Sequence, residues 1–158
     1  MKTRYLFPHS CKKWGWILFF IGLSLGVFAR INNFETDQYL VTKVWALIND
    51  SLLSKTYFQW IENGLLDEII IALIGIGGIL IGFSKIKEED EYSFQLRTES
   101  LIWSFYINFA LLLISTFLIY GIAYFEIMIY QLFSMLIFFI ARFHYVLYIA
   151  NKSIKYEE

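Results

Sequence analysis

The chain has 158 residues, of which 58% are hydrophobic, 20% aromatic and only 17% charged, a balance that excludes a water-soluble monomer. Thirteen Lys and Arg against fourteen Asp and Glu leave a net charge of -1, so the electrostatic footprint of a nucleic-acid binder is missing. A single cysteine, Cys11, excludes a disulfide framework, a CxxC redox pair and any cysteine-based zinc site.

A bilayer core of about 30 Å needs roughly 20 apolar helical residues, and the chain offers four such stretches. The first span covers about 14–30 (WGWILFFIGLSLGVFAR), with Arg30 snorkelling at its end. A cleavable signal peptide is the competing reading, because basic residues precede the apolar run and Val27-Phe28-Ala29 ends in a small residue. The uninterrupted run and its glycines favour a retained helix. An outer loop, 31–64, follows. Within it Leu40, Val41, Val44, Leu47 and Ile48 recur at helical spacing with Asp37, Lys43 and Asp50 off that face, which predicts an amphipathic helix over 37–53 lying on the outer leaflet or capping the bundle. Tyr57 to Ile61 reads as a short turn leading into span two. Asn49-Asp50-Ser51 and Asn151-Lys152-Ser153 match glycosylation sequons, a pattern frequent by chance.

Span two, about 65–84, is built on IIIALIGIGGILIGF. The inner loop, 85–100, carries Glu88, Glu89, Asp90 and Glu91 in a row. Consecutive helical residues point in different directions and cannot converge on one ion, so the acids read as residues at the positive N-terminal end of a helix that starts near Glu88. Span three, about 101–120, and span four, about 122–142, are separated only by Gly121 and predict a tight helical hairpin. The stretch after Arg142 continues as helix at the interface. Basic residues Lys2, Arg4, Lys12, Lys13, Lys85, Lys87, Arg97, Arg142, Lys152 and Lys155 fall on one side of these spans and only Arg30, Lys43 and Lys55 on the other. Both termini and the inner loop are therefore expected in the cytoplasm. Trp14, Trp16 and Trp103 then lie at the inner interface and Trp60 at the outer one, as an aromatic belt requires.

In lipid, helices associate through close packing and hydrogen bonds, which makes Gly22 and Gly26 of span one and Ala72, Gly75, Gly78 and Gly82 of span two the expected packing face. Gly77 beside them is expected to bend or loosen span two. Ser104, Asn108 and Ser115 share a face of span three and call for partners among Tyr130, Gln131 and Ser134. Asp67, Glu68 and Glu126, with Arg30, lie near the outer ends of their spans; an ion pair with solvated carboxylates is the structural reading, a proton or cation site the functional one. Lys85, Lys87, Glu89, Asp90, Glu91, Arg97 and Arg142 form the expected cytoplasmic contact surface, with Arg142 and His144 facing the acidic loop or lipid phosphate. No HExxH, Walker-type loop or GxSxG occurs, and only His9 and His144 are available for haem. No catalytic residue, cofactor or metal site is expected.

Trp60-x-x-Asn63, Asp67-Glu68, Phe83-Ser84-Lys85-x-Lys87 running into Glu89-Asp90-Glu91, Leu96-Arg97, Ser100-Leu101 and Arg142-Phe143-His144 carry a resemblance. Over residues 60 to 148 the chain resembles a group of uncharacterised small four-span bacterial inner-membrane proteins with an FSKxKxEDE motif, associated with LytTR-type response regulators and their sensor kinases. The resemblance implies a bacterial cytoplasmic-membrane protein accessory to signalling, and it brings no activity or catalytic residue with it. The expectation is thus an all-α, four-span single membrane domain, 1–158, with an outer amphipathic helix. Its expected surroundings are the lipid bilayer and a membrane-protein partner or further copies of itself. A non-enzymatic accessory or regulatory role is preferred, and a small carrier or channel component is the alternative.

Overall fold

The computed structural model describes residues 5–32, 39–51, 54–87 and 89–157. Asp37 and Glu88 lie outside them. The described residues are mostly helical, 74%, and the chain runs α1 (His9–Ile31), β1 (Val41–Ser51), β2 (Ser54–Gly64), α2 (Leu66–Phe83), α3 (Glu91–Leu118) and α4 (Ile122–Glu157). All four helices are long and apolar enough to cross a membrane, α4 over Ile122–Ala150. Even the shortest, the 18 residues of α2, extends about 27 Å at 1.5 Å per residue. The protein has the build of a multi-pass membrane protein, and its large apolar side chains face outward accordingly, among them Phe20, Phe28, Ile102, Phe117 and Leu132.

Contacts divide the chain into two compact units, Met1–Phe19 with Gly75–Glu158, and Phe20–Ile74. In the smaller unit, the second half of α1 lies against the first half of α2. A Cβ on Gly22 would meet Ile74 Cγ1 at 2.8 Å and its backbone nitrogen at 3.0 Å, and one on Gly26 would meet Ile70 Cγ2 at 3.3 Å. The absent side chains are what let the backbones approach.

The same unit holds the main departure from the sequence reading. The amphipathic helix expected over 37–53 is not formed; β1 and β2 make an antiparallel hairpin whose register runs from Val41↔Gly64 to Ser51↔Ser54. The segment expected as a short turn at Tyr57 to Ile61 is part of β2. The physical reason lies in composition. Val41, Thr42, Val44, Ile48 and Thr56 are β-branched, Trp45, Tyr57, Phe58 and Trp60 are aromatic, and such residues pack well on a pleated surface and lose rotamer freedom in a helix. Trp45 and Trp60 stack across the strands with ring centroids 6.4 Å apart, and Phe58 lies 6.2 Å from Trp45. Leu40 and Phe58 both have φ +55°, a left-handed conformation unusual for such bulky residues.

In the larger unit the first half of α1 meets the second half of α2 through glycines on both sides. A Cβ on Gly15 would lie 3.0 Å from Gly77 O, and one on Gly77 would lie 2.6 Å from the backbone nitrogen of Phe19. Gly78 and Gly82 face α4 instead, against Leu136 and Phe139 respectively. The core of this unit is Ile81, Phe139 and Phe143, all essentially inaccessible. α3 and α4 are joined through Ile119, whose N–H donates to Ser115 O at 2.9 Å, and Gly121, whose φ of +74° suits a residue without Cβ.

Candidate functional site

Three groups of polar residues stand out against the apolar helices. The first closes the connection between α2 and α3. Arg97 is 3% exposed; its Nη1 donates to the carbonyls of Gly82 at 3.3 Å and Ser84 at 3.2 Å, and its Nη2 donates to both Glu89 oxygens at 3.0 and 3.2 Å. The guanidinium thus satisfies carbonyls at the C-terminal end of α2 that no helical N–H reaches, at the end where a cation is favoured. It also lies 4.8 Å over the Phe143 ring. Glu89 accepts a further bond from Ile86 N at 2.9 Å. Phe7 pairs with this segment through Phe7 N to Phe83 O and Lys85 N to Phe7 O, each 2.9 Å, and His9 Nδ1 bonds Lys85 O at 2.9 Å.

α3 starts beside this junction with a capping box. Asp90 Oδ1 accepts from Ser93 N at 2.8 Å, and Asp90 N donates to Ser93 Oγ at 3.0 Å. The Ser93 hydroxyl, also bonded to the carboxylate, and then the Ser93 N–H hold the Asp90 carboxyl below the usual aspartate range. Of the expected cytoplasmic contact residues, Glu89 and Arg97 are consumed internally, whereas Lys85, Lys87, Asp90 and Glu91 are exposed. Arg142 lies 5.2 Å over the Trp103 ring, and His144 Nδ1 bonds Ile140 O at 2.9 Å. Their placement is on aromatic and backbone partners and not on the acidic loop.

The second group joins α3 to α4. Gln131 Nε2 donates to Asn108 O at 2.8 Å, and the Ser134 hydroxyl donates to Asn108 Oδ1. Ser104 and Ser115 share the face but bond back to Leu101 O at 2.7 Å and Leu112 O at 2.9 Å, so they contribute small size and not a cross-helix bond. A cavity of about 320 Å³ adjoins the group, lined by apolar residues and by Ser115, Tyr130, Gln131 and Ser134.

The third group opens α2. Glu68 Oε1 accepts from Asn63 Nδ2 at 2.7 Å, and its carboxyl also meets that of Asp67. Asp67 Oδ1 is buried with no hydrogen-bond partner among the described residues. Arg30 belongs to the same unit and Glu126 to the other. Among the described residues no three His, Cys, Asp or Glu side chains stand together as metal ligands. Of the expected packing residues, Gly22, Gly26, Gly78 and Gly82 make close approaches, whereas nothing lies within 4 Å of a Cβ on Gly75 and Ala72 is exposed. Gly75 is therefore corrected to an open position: its helix face meets no neighbour there. Gly15 and Gly77 bring backbone against backbone across α1 and α2; Gly15 stands seven residues before Gly22 on the same helix face, a spacing that a four-residue pattern alone misses. Gly77 is thus a contact residue.

No family model matches the chain, and neither a curated protein nor a solved structure does.

Proposed function

We propose that the protein is a non-enzymatic accessory or regulatory subunit of a bacterial cytoplasmic-membrane complex, with its termini and the α2–α3 connection inside and the hairpin outside. The excess of basic residues flanking α1, α2 and α4 on one side supports this orientation, and the resemblance around FSKIKEEDE supports the bacterial membrane. The observation that carries the reading is the hairpin. Trp45, Leu47, Ile48, Tyr57, Phe58 and Trp60 are each more than half exposed, and among the described residues β1 and β2 pair only with each other. A two-stranded hairpin is marginal by itself, and so much exposed apolar surface marks an interaction site. The partner is a membrane protein presenting an apolar surface at the outer interface, and the exposed Lys85, Lys87 and Glu91 serve a cytoplasmic contact.

The test is photocrosslinking in native membranes from an unnatural side chain at Trp60, with Leu113 on α3 as a lipid-facing control. One membrane protein recovered in stoichiometric amount from position 60 alone supports the reading. Recovery of lipid, or of this chain alone, at both positions opposes it. The buried Asp67 Oδ1 favours a carrier as the second reading; its test is a pH-dependent flux in proteoliposomes that Asp67→Asn abolishes.

A further inference from the structure

Arg142 is a cation at membrane depth without an anion. It closes the part of α4 expected within the bilayer, where an arginine is rare and requires a specific partner. Its guanidinium carbon lies 5.2 Å over the Trp103 ring, yet no carboxylate and no hydrogen-bond acceptor meets it among the described residues. Nε is buried in that condition; Nη1 and Nη2 are not buried, and their N–H donors open onto the surface of the α3–α4 pair. The stem does not snorkel outward. Asn108 is bonded to Gln131 and Ser134, so Trp103, five residues before Asn108, lies level with about 136–139 of α4, roughly 5–9 Å nearer the bilayer centre than the Arg142 backbone. A helical side chain leans over the turn before its own Cα, and on α4 that turn is the deeper one.

One turn nearer the boundary, the same surface carries an anion without a cation. Glu99 is four residues before Trp103 on α3 and shares its face. It is exposed, its Oε1 accepts only from Gln95 Nε2 at 3.2 Å, and no cation pairs with it among the described residues. Arg142 and Glu99 therefore stand on adjacent helices as opposite charges that do not meet, the guanidinium beside Trp103 and the carboxylate about 6 Å further out along α3. A phospholipid head has the same order, its phosphate next to the chains and its amine beyond.

We propose that this surface binds phosphatidylethanolamine, the phosphate accepting from Arg142 Nη1 and Nη2 and the ammonium donating to the Glu99 carboxylate. Both contacts are charge-assisted hydrogen bonds, the stronger kind. Phosphatidylglycerol would satisfy the arginine and leave Glu99 facing an anionic head; phosphatidylcholine brings a cation that has no N–H to donate. The lipid lies in the cytoplasmic leaflet in the orientation proposed above, and its recognition is independent of the partner of the hairpin.

The experiment is native mass spectrometry of the full chain, released from micelles after equilibration with equimolar dioleoyl phosphatidylethanolamine, phosphatidylcholine and phosphatidylglycerol. The ethanolamine lipid is expected to be retained about tenfold over the choline lipid, the ratio one charge-assisted hydrogen bond supplies, and over the glycerol lipid as well. Glu99→Ala should bring the first ratio close to one, and Arg142→Gln should weaken retention of both zwitterionic lipids. Soluble phosphoethanolamine at the same concentration should displace nothing, since it lacks the chains. Equal retention of the ethanolamine and choline lipids, stronger retention of the glycerol lipid, displacement by soluble phosphoethanolamine, or an unchanged ratio in Glu99→Ala overturns the proposal. The first three are read on the unaltered protein, so misfolding of a variant does not spare it.

Discussion

The α2–α3 connection and the α1–α2 connection treat their surroundings in opposite ways. Between α2 and α3, seven residues separate the helices, and an arginine, a glutamate and the carbonyls at the end of α2 satisfy one another away from solvent. Between α1 and α2, a hairpin of two 11-residue strands places aromatic side chains in the open with few internal partners. Polar groups at a membrane boundary must be matched internally or by water, and the first connection does so within the chain for all its groups named above, leaving only Arg97 Nε buried without a partner among the described residues. The second leaves apolar surface exposed, as the proposed association surface requires. Changes at the first should therefore be read in stability, and changes at the second in association.

The largest expected effect is at Arg97. Arg97→Leu leaves Glu89 beside the apolar end of the bundle and two carbonyls without donors, and breaking a buried pair in this way costs about 3–5 kcal/mol. Reversible unfolding in mixed micelles measures it. Arg97→Lys should recover little, because a point charge cannot reach both carbonyls and both carboxylate oxygens as the planar fork does. Full stability in Arg97→Lys would reduce the junction to simple charge neutralisation.

A smaller effect is expected at Asp90. Asp90→Ala removes the N-cap of α3 and should cost about 1 kcal/mol. The sign of the pH dependence follows from the direction of the Asp90 shift. Its carboxyl is held below the ordinary aspartate value in the folded protein, so its contribution is fully present above that ordinary value, about 3.9, and is lost as pH falls through the lower folded one. Asp90→Asn keeps a capping oxygen and should flatten that acid limb without matching the loss in Asp90→Ala. Parallel acid limbs in Asp90→Asn and the parent protein would remove Asp90 as its source.

How much of this was legible in the sequence differs between the two connections as well. The helices were readable because a run such as IIIALIGIGGILIGF has one economical fate in a membrane. The hairpin was not. Leu40, Val41, Val44, Leu47 and Ile48 satisfy helical spacing, while Trp45 and Leu47 on one face and Val44, Ala46 and Ile48 on the other erase the alternation that betrays a half-buried strand. The usable signal was the β-branched and aromatic content of the two segments. At the junction, Arg97 was visible as a charge but not as a cap, because the partners it meets at Gly82 and Ser84 are backbone carbonyls and carry no residue signature. A pattern did exist: Ser93, Arg97, Ser100 and Ser104 recur at offsets of four, three and four, and all are nearly inaccessible. Extending the polar face of Asn108 back along α3 would have placed Arg97 inside.

The smallest effect on stability, and the sharpest test of the contrast, is expected at Trp45. Its stacking on Trp60 is a cross-strand aromatic pair, worth about 0.2–1 kcal/mol, and the ring is 53% exposed, so Trp45→Ser should leave unfolding of the helical bundle almost unchanged. The same substitution removes an aromatic from the exposed patch and should reduce crosslinking from position 60 to the partner several-fold, since buried aromatics dominate association energies. The two readouts must separate. If Trp45→Ser destabilises the bundle as much as Arg97→Leu does, the hairpin is a structural element of the fold. If it changes neither stability nor crosslinking, the aromatic face is matched by lipid alone.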